Sequence, residues 1–171
     1  MTQFIAWNAA MPAANPRVSV NTGTSLTVPV TSLQIATPST RPIKVVRWGI
    51  RFIAAPTVIV RCELVDCNVA ATGLTAHVAA GVQPYDMTAG TPASDVTLGT
   101  SATGYWVAAA AEGTVTATRT GDEWTAPIGV SYYDYEWSQG REFEVGPSRF
   151  LRIRTATTVA IGHLCYIVWN E

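Results

Sequence analysis

The chain of 171 residues is 48% hydrophobic and only 13% charged, which excludes a disordered polymer and gives a single domain enough apolar surface for a core. Eleven basic and twelve acidic residues leave a net charge of −1, so no concentrated basic face is expected to neutralise nucleic-acid phosphates. No apolar run approaches the roughly 20 residues of a transmembrane helix. The opening MTQFIAWNAAMPAANP lacks the charged stretch that precedes a secretory signal core, so neither a membrane partner nor a signal peptide is expected.

Residues 1–21 form the first segment, with Phe4, Ile5 and Trp7 set among Ala, Asn and Pro. They read as an extended N-terminal arm lying across a neighbouring subunit, or as a frayed terminus; apolar termini need cover either way. Residues 22–171 then make the domain proper. Thr, Val, Ile and aromatics recur there in short runs broken by Gly, Pro, Asn and Asp, which is strand-and-turn chemistry. A weak strand over Ser25–Ala36 precedes the best one, Pro42–Phe52, where Val46, Trp48, Ile50 and Phe52 alternate with Val45, Arg47, Gly49 and Arg51. Thr57–Asp66 repeats the pattern with Val58, Val60, Cys62 and Leu64 against Ile59, Arg61 and Glu63. The intervening Ala54-Ala55-Pro56 is short enough for a hairpin, which would put Arg47, Arg51, Arg61 and Glu63 on one outer face with a cross-strand Arg–Glu pair.

Leu74–Val78 is a weaker strand. Gln83–Gly104 is a polar Gly/Thr/Ser-rich stretch whose length marks a partner-contacting loop, and Val107–Ala111 is too short and uncapped for a stable helix. Weak strands over Gly113–Thr120 and Ile128–Tyr135 flank the expected turn Gly121-Asp122-Glu123. Arg149–Arg154 sets Leu151 and Ile153 against Phe150, Arg152 and Arg154, and Gly162–Asn170 alternates Leu164, Tyr166 and Val168 with Cys165, Ile167 and Trp169. A chain ending in such a strand pairs it into a sheet rather than leave a sticky edge. About eight strands at this spacing predict an all-β fold, an antiparallel β-sandwich or jelly-roll, with a barrel as the other closure.

The chemistry-bearing residues form no catalytic constellation. His77 and His163 stand alone in strand-like runs, and Cys62 and Cys67 have no second pair for zinc. Cys62 and Cys165 read as core thiols. No nucleophile elbow or phosphate-cradling glycine motif occurs, so no catalytic residue, cofactor or metal is expected. The acids Asp122, Glu123, Asp134 and Glu136, beside Trp124, Tyr132, Tyr133, Tyr135 and Trp137, are the one arrangement a glycosidase would use. We read them instead as solvated acids beside half-buried sheet aromatics, with the Tyr132–Trp137 stretch a candidate interface.

The order Thr37-Pro38-Ser39-Thr40-Arg41-Pro42, Val46-Arg47-Trp48-Gly49, Gly104-Tyr105, Glu112-Gly113-Thr114, Gly140-Arg141-Glu142, Arg149-Phe150-Leu151-Arg152-Ile153-Arg154 and Cys165-Tyr166-Ile167-Val168-Trp169-Asn170-Glu171 resembles small structural proteins of tailed bacteriophages and prophages. The similarity runs from about Thr22 onward. It implies a virion component on the outer surface of the head: a decoration (cement) protein that binds the major capsid protein lattice and copies of itself, as a homotrimer. The expected interface residues are Phe4 and Trp7 in the arm, the arginines Arg47, Arg51, Arg152 and Arg154, and the aromatics Tyr133, Tyr135 and Trp137. A solvated outer sheet face is the other reading of the arginines. The alternative function is a tail or fibre module that contacts the host surface and binds a glycan through the aromatic stretch.

Overall fold

Strand-forming residues alternate with turn residues throughout the chain, and the computed structural model folds them accordingly; it describes residues 2–10, 17–85, 93–106, 111–116 and 118–171. The strands are β1 (Gln3–Trp7), β2 (Val20–Asn21), β3 (Val30–Ala36), β4 (Ile43–Phe52), β5 (Val60–Cys67), β6 (Thr75–Ala76), β7 (Gln83–Pro84), β8 (Gly104–Tyr105), β9 (Thr118–Ala126), β10 (Tyr132–Glu136), β11 (Phe143–Val145), β12 (Phe150–Thr157) and β13 (Gly162–Asn170). One sheet runs β10-β4-β13-β1-β7, with β11 also on β4 and β2 also on β13; the other runs β6-β8-β3-β12-β5-β9. Every pairing between them is antiparallel. Phe4, Trp48, Ile50, Ile167 and Trp169 from the first sheet meet Leu33, Ile35, Leu64, Leu151 and Ile153 from the second in a core sealed from solvent. This is the expected all-β antiparallel sandwich. The tracts 11–16, 86–92 and 107–110, on which parts of the arm, the polar loop and the Ala-rich run fall, lie outside the described residues.

Three expectations change. The first concerns the arm. Its described part does not reach outward, because β1 pairs with β13 over Gln3↔Asn170 to Trp7↔Tyr166 and with β7 on its other side. Phe4 is 1% exposed and stacks near Trp169. A strand as apolar as β13 needs partners on both edges, and the start of the chain supplies the second one.

The second concerns the hairpin. β4 and β5 belong to different sheets, so residues 53–59 cross the sandwich instead of turning within a sheet. Arg47 and Arg51 therefore lie on the opposite face of the molecule from Arg61 and Glu63. The Arg–Glu pairs form elsewhere, Arg61 with Glu123 at 3.1 Å and Arg154 with Glu63 at 2.8 Å. The third is a phase shift within β4. Val168 pairs with Arg47 but Trp169 pairs with Val45, leaving Val46 as a bulge residue. Ile43 and Val45 thus share the core face with Trp48, Ile50 and Phe52, an arrangement that strict alternation does not allow.

The interior is not wholly apolar. His163 is fully buried, with Nε2 2.9 Å from Ser32 Oγ, which lies 3.3 Å from Thr155 Oγ1. Asn8 closes the same region, its Oδ1 accepting from Cys165 N at 2.7 Å. Burial pushes the His163 imidazole pKa down to about 4, so the folded state holds it neutral while an unfolded chain protonates it near 6.5. The unfolded state then binds more protons between these values, and stability falls as pH drops through that window. We expect a loss of roughly 3 kcal/mol between pH 7 and pH 4 from this group. Urea unfolding at both pH values checks it: His163→Gln should be less stable at pH 7 but lack this part of the slope.

Candidate functional site: an aromatic edge

β10 ends the first sheet and β9 ends the second, and residues 127–131 join them, so two sheet edges run side by side. Aromatic rings fill the gap. Trp124 of β9 stacks on Tyr133 of β10 with centroids 4.8 Å apart and planes 11° apart, and Tyr133 meets Trp48 edge-on at 5.4 Å. Along the same edge Tyr135 and Trp137 form a T-shaped pair at 4.8 Å. Trp137 stacks on Phe143 at 6.2 Å, and the Arg119 guanidinium sits over Phe143 at 4.5 Å. Such ring pairs add about 0.5–1.5 kcal/mol each beyond area burial. Asp122 locks the inner layer, its Oδ2 accepting from Trp48 Nε1 at 2.9 Å and from Tyr133 OH at 2.8 Å. Burial first, and then this carboxylate, hold the tyrosine's proton, so its pKa lies well above the ordinary phenol range. The turn expected at Gly121-Asp122-Glu123 is instead mid-strand in β9, where the register against β5 shifts past Gly121.

On the outer face of the first sheet a second chain of contacts crosses four strands. Arg47 grips Asp134 with both Nε and Nη2, the Nε bond being 2.7 Å. Tyr166 OH donates to Asp134 Oδ1 at 2.9 Å, Trp7 packs on the Tyr166 ring at 4.7 Å, and Arg17 lies 4.1 Å above Trp7. Arg47 holds the Asp134 carboxyl below its usual range, and burial with Asp134 pushes Tyr166 up to about 12. Gly49 forms the floor: a Cβ there would lie 2.8 Å from Tyr166 Cε1 and 3.0 Å from the Tyr133 carbonyl oxygen.

The sequence-derived candidates therefore divide. Arg47 and Trp7 come together through Tyr166, and Arg51 stands exposed on the same face. Tyr133, Tyr135 and Trp137 line the edge, with Tyr135 39% exposed. Phe4 is in the core. Arg152 is not on an accessible face either: it is 0% exposed, and its Nη1 donates to Glu112 O at 3.2 Å and Oε2 at 3.1 Å. Glu112, which also accepts from Thr31 N and Oγ1, pins the segment that covers it. Arg154 is largely buried against Glu63. Period-two alternation had both arginines facing out of the sheet, and they do; Glu112 lies over Arg152, while Arg154 packs beside Glu63 of the adjacent β5. Asp122, Trp124, Tyr132 and Tyr166 complete the site. No local pattern marks Asp122, because its partners lie 74 and 11 residues away.

Three of the four acids considered for glycoside chemistry are drawn to different places: Asp122 points between the sheets, Asp134 is held by Arg47 outside the first sheet, and Glu123 pairs with Arg61 outside the second, while Glu136 shares the outer face of β10 with Asp134. Among the described residues no group of three or more His, Cys, Asp and Glu is placed to hold a metal ion. The three cysteines are free and buried, and burial raises each thiol pKa. What the edge offers is flat ring surface, hydroxyls and backbone that no described residue pairs. No family model matches the chain, and no curated protein or solved structure is significantly similar to it.

Asp122→Ala removes the acceptor of a fully buried indole N–H and should cost about 2–3 kcal/mol in chemical denaturation. Gly49→Ala should cost about 1–3 kcal/mol by overpacking. It should also bring the Tyr166 titration, followed by ultraviolet absorbance, back toward the ordinary tyrosine value as the ring leaves Asp134.

Proposed function

We propose that this chain is a non-catalytic assembly protein of a tailed-phage virion, a decoration (cement) protein on the outside of the head lattice whose partners are the major capsid protein and further copies of itself as a homotrimer. The observation that carries the reading is the free aromatic edge. Among the described residues β10 pairs only with β4. Ser131 O accepts from Phe52 N and Trp137 N donates to Val46 O at its two ends. By antiparallel alternation the backbone of Tyr132, Asp134 and Glu136 then points away from the sheet. Tyr132 is 66% exposed beside it. Unpaired backbone flanked by tyrosine and tryptophan is what strand addition and interface hot spots use, and a soluble β protein ordinarily blunts such an edge. The resemblance to phage structural proteins supplies the setting.

Immunogold electron microscopy on the particle fraction of the source tests this. Label spread evenly over heads is the expected result; label confined to tail tips would favour the host-contact module, and unlabelled particles would remove the virion reading. Tyr135→Ala with Trp137→Ala should weaken capsid binding by about tenfold or more, as truncated aromatic anchors do. Loss of glycan binding in that variant, with the fold intact, would support the carbohydrate alternative instead. Hydrolysis abolished by Glu136→Gln would make the protein an enzyme.

A further inference from the structure

β10 presents a different set of side chains on each of its faces. Tyr133 and Tyr135 lie on the inner face, opposite the buried Ile50 and Trp48, while Tyr132, Asp134 and Glu136 lie on the outer face, opposite Arg51, Gly49 and Arg47. Four charges of β4 and β10 therefore share the outer face. Arg47 and Asp134 hold each other, with both Nε and Nη2 on the carboxylate. Arg51 and Glu136 stand exposed at opposite ends of β10, and neither joins an ion pair among the described residues. Arg51 and Tyr132 also border a recess of about 370 Å³ with Phe52 and Ser131.

The backbone of Tyr132, Asp134 and Glu136 points away from β4, because Ser131 O and Trp137 N are the groups turned toward it. A strand laid on this edge sets three residues on the outer face, with Cβ atoms about 5 Å from those of Tyr132, Asp134 and Glu136. Its intervening residues fall on the inner face, beside Tyr133 and Tyr135. The Tyr135 ring meets Trp137 there at 4.8 Å, so the inner positions call for apolar side chains. The outer positions differ from one another. The one at Tyr132 adjoins Arg51, the middle one meets a carboxylate already held by Arg47 and Tyr166, and the last meets the Glu136 carboxylate.

We infer that this edge receives an extended segment of a partner protein as an antiparallel strand. The segment carries a basic residue opposite Glu136, an acidic residue opposite Tyr132 and beside Arg51, and apolar residues opposite Tyr135 and Tyr133. The inference rests on the reading of the edge as an interface and adds the chemistry and direction of what fills it. Antiparallel addition continues a sheet whose described pairings are all antiparallel. Opposite charges at the two ends fix direction and register more than they add affinity. A second copy of the chain fits less well. The register that carries its Glu136 to this Arg51 also sets Asp134 opposite Asp134, like charges across a strand pair.

Nuclear magnetic resonance tests it, with the isotope-labelled chain titrated by the capped peptide Thr-Val-Lys-Val-Ser-Val-Glu-Val-Thr. The expected result is shifts along β10 and slowed hydrogen exchange at the Tyr132, Asp134 and Glu136 amides. A peptide with the lysine and glutamate exchanged should bind about tenfold more weakly. The double variant Arg51→Glu with Glu136→Arg should reverse that preference. Both residues are exposed, so unchanged thermal melting should confirm its fold. No binding at millimolar peptide, equal binding of the two peptides, or binding that leaves those amides unprotected would overturn the inference. So would a wild-type dimer that Glu136→Arg disrupts, since the edge would then belong to a second copy. Capsid binding lost in Tyr135→Ala with Trp137→Ala but kept in the charge-swapped variant would leave the edge an interface and remove only this partner.

Discussion

β13 carries no charged residue over Gly162–Asn170 and is buried on both faces for most of its length: His163, Cys165, Ile167 and Trp169 enter the core, while Tyr166 and Val168 are 6% and 2% exposed on the other side. Such a strand cannot stand at an edge without exposing apolar surface and unpaired amides together. It needs a neighbour on each side. β4 supplies one over most of its length, and β1 supplies the other. The two ends of the chain are thereby tied, with Thr2 N donating to Glu171 O and Glu171 N to Thr2 O. The first sheet is thus assembled from strands far apart in sequence, and the second follows from it, because residues 53–59 and 158–161 must carry the chain across the core to β5 and back from β12.

Placement of polar groups follows the same constraint. Four buried polar contacts draw their partners from a distance. Glu112 reaches Arg152, Asp66 reaches Arg149, Asp122 reaches Trp48 and Tyr133, and Ser32 reaches His163. Buried ion pairs of this kind add little net stability over an apolar substitute, but losing one partner leaves the other unpaired and costly. They specify which segments lie over which sheet face. The Glu112 carboxylate shows this directly, since it fixes the chain between β8 and β9 against β3 and β12 at once.

The β9–β10 flank is not spent in this way. There rings meet solvent beside backbone that no described residue pairs. The edge offers directional hydrogen bonds and aromatic stacking, suited to a partner strand or a ring-bearing ligand.

Alternation and turn chemistry in the sequence determined the fold class, the four strongest strands and the burial of Leu151, Ile153, Ile167 and Trp169, because period-two patterning is local and one face of each strand must be dry. The aromatic run Tyr132–Trp137 was legible for the same reason. Only the tertiary structure decided which strands are neighbours. Sheet partnership depends on contacts such as Phe4 with Trp169, far apart in sequence, and a short connection like 53–59 serves a hairpin or a crossover equally well. It also decided which outward-facing side chains remain outward. Arg47 and Arg152 carry the same local pattern, yet one grips Asp134 at the surface while the other lies sealed against Glu112, a difference that belongs to the covering segment and not to either strand.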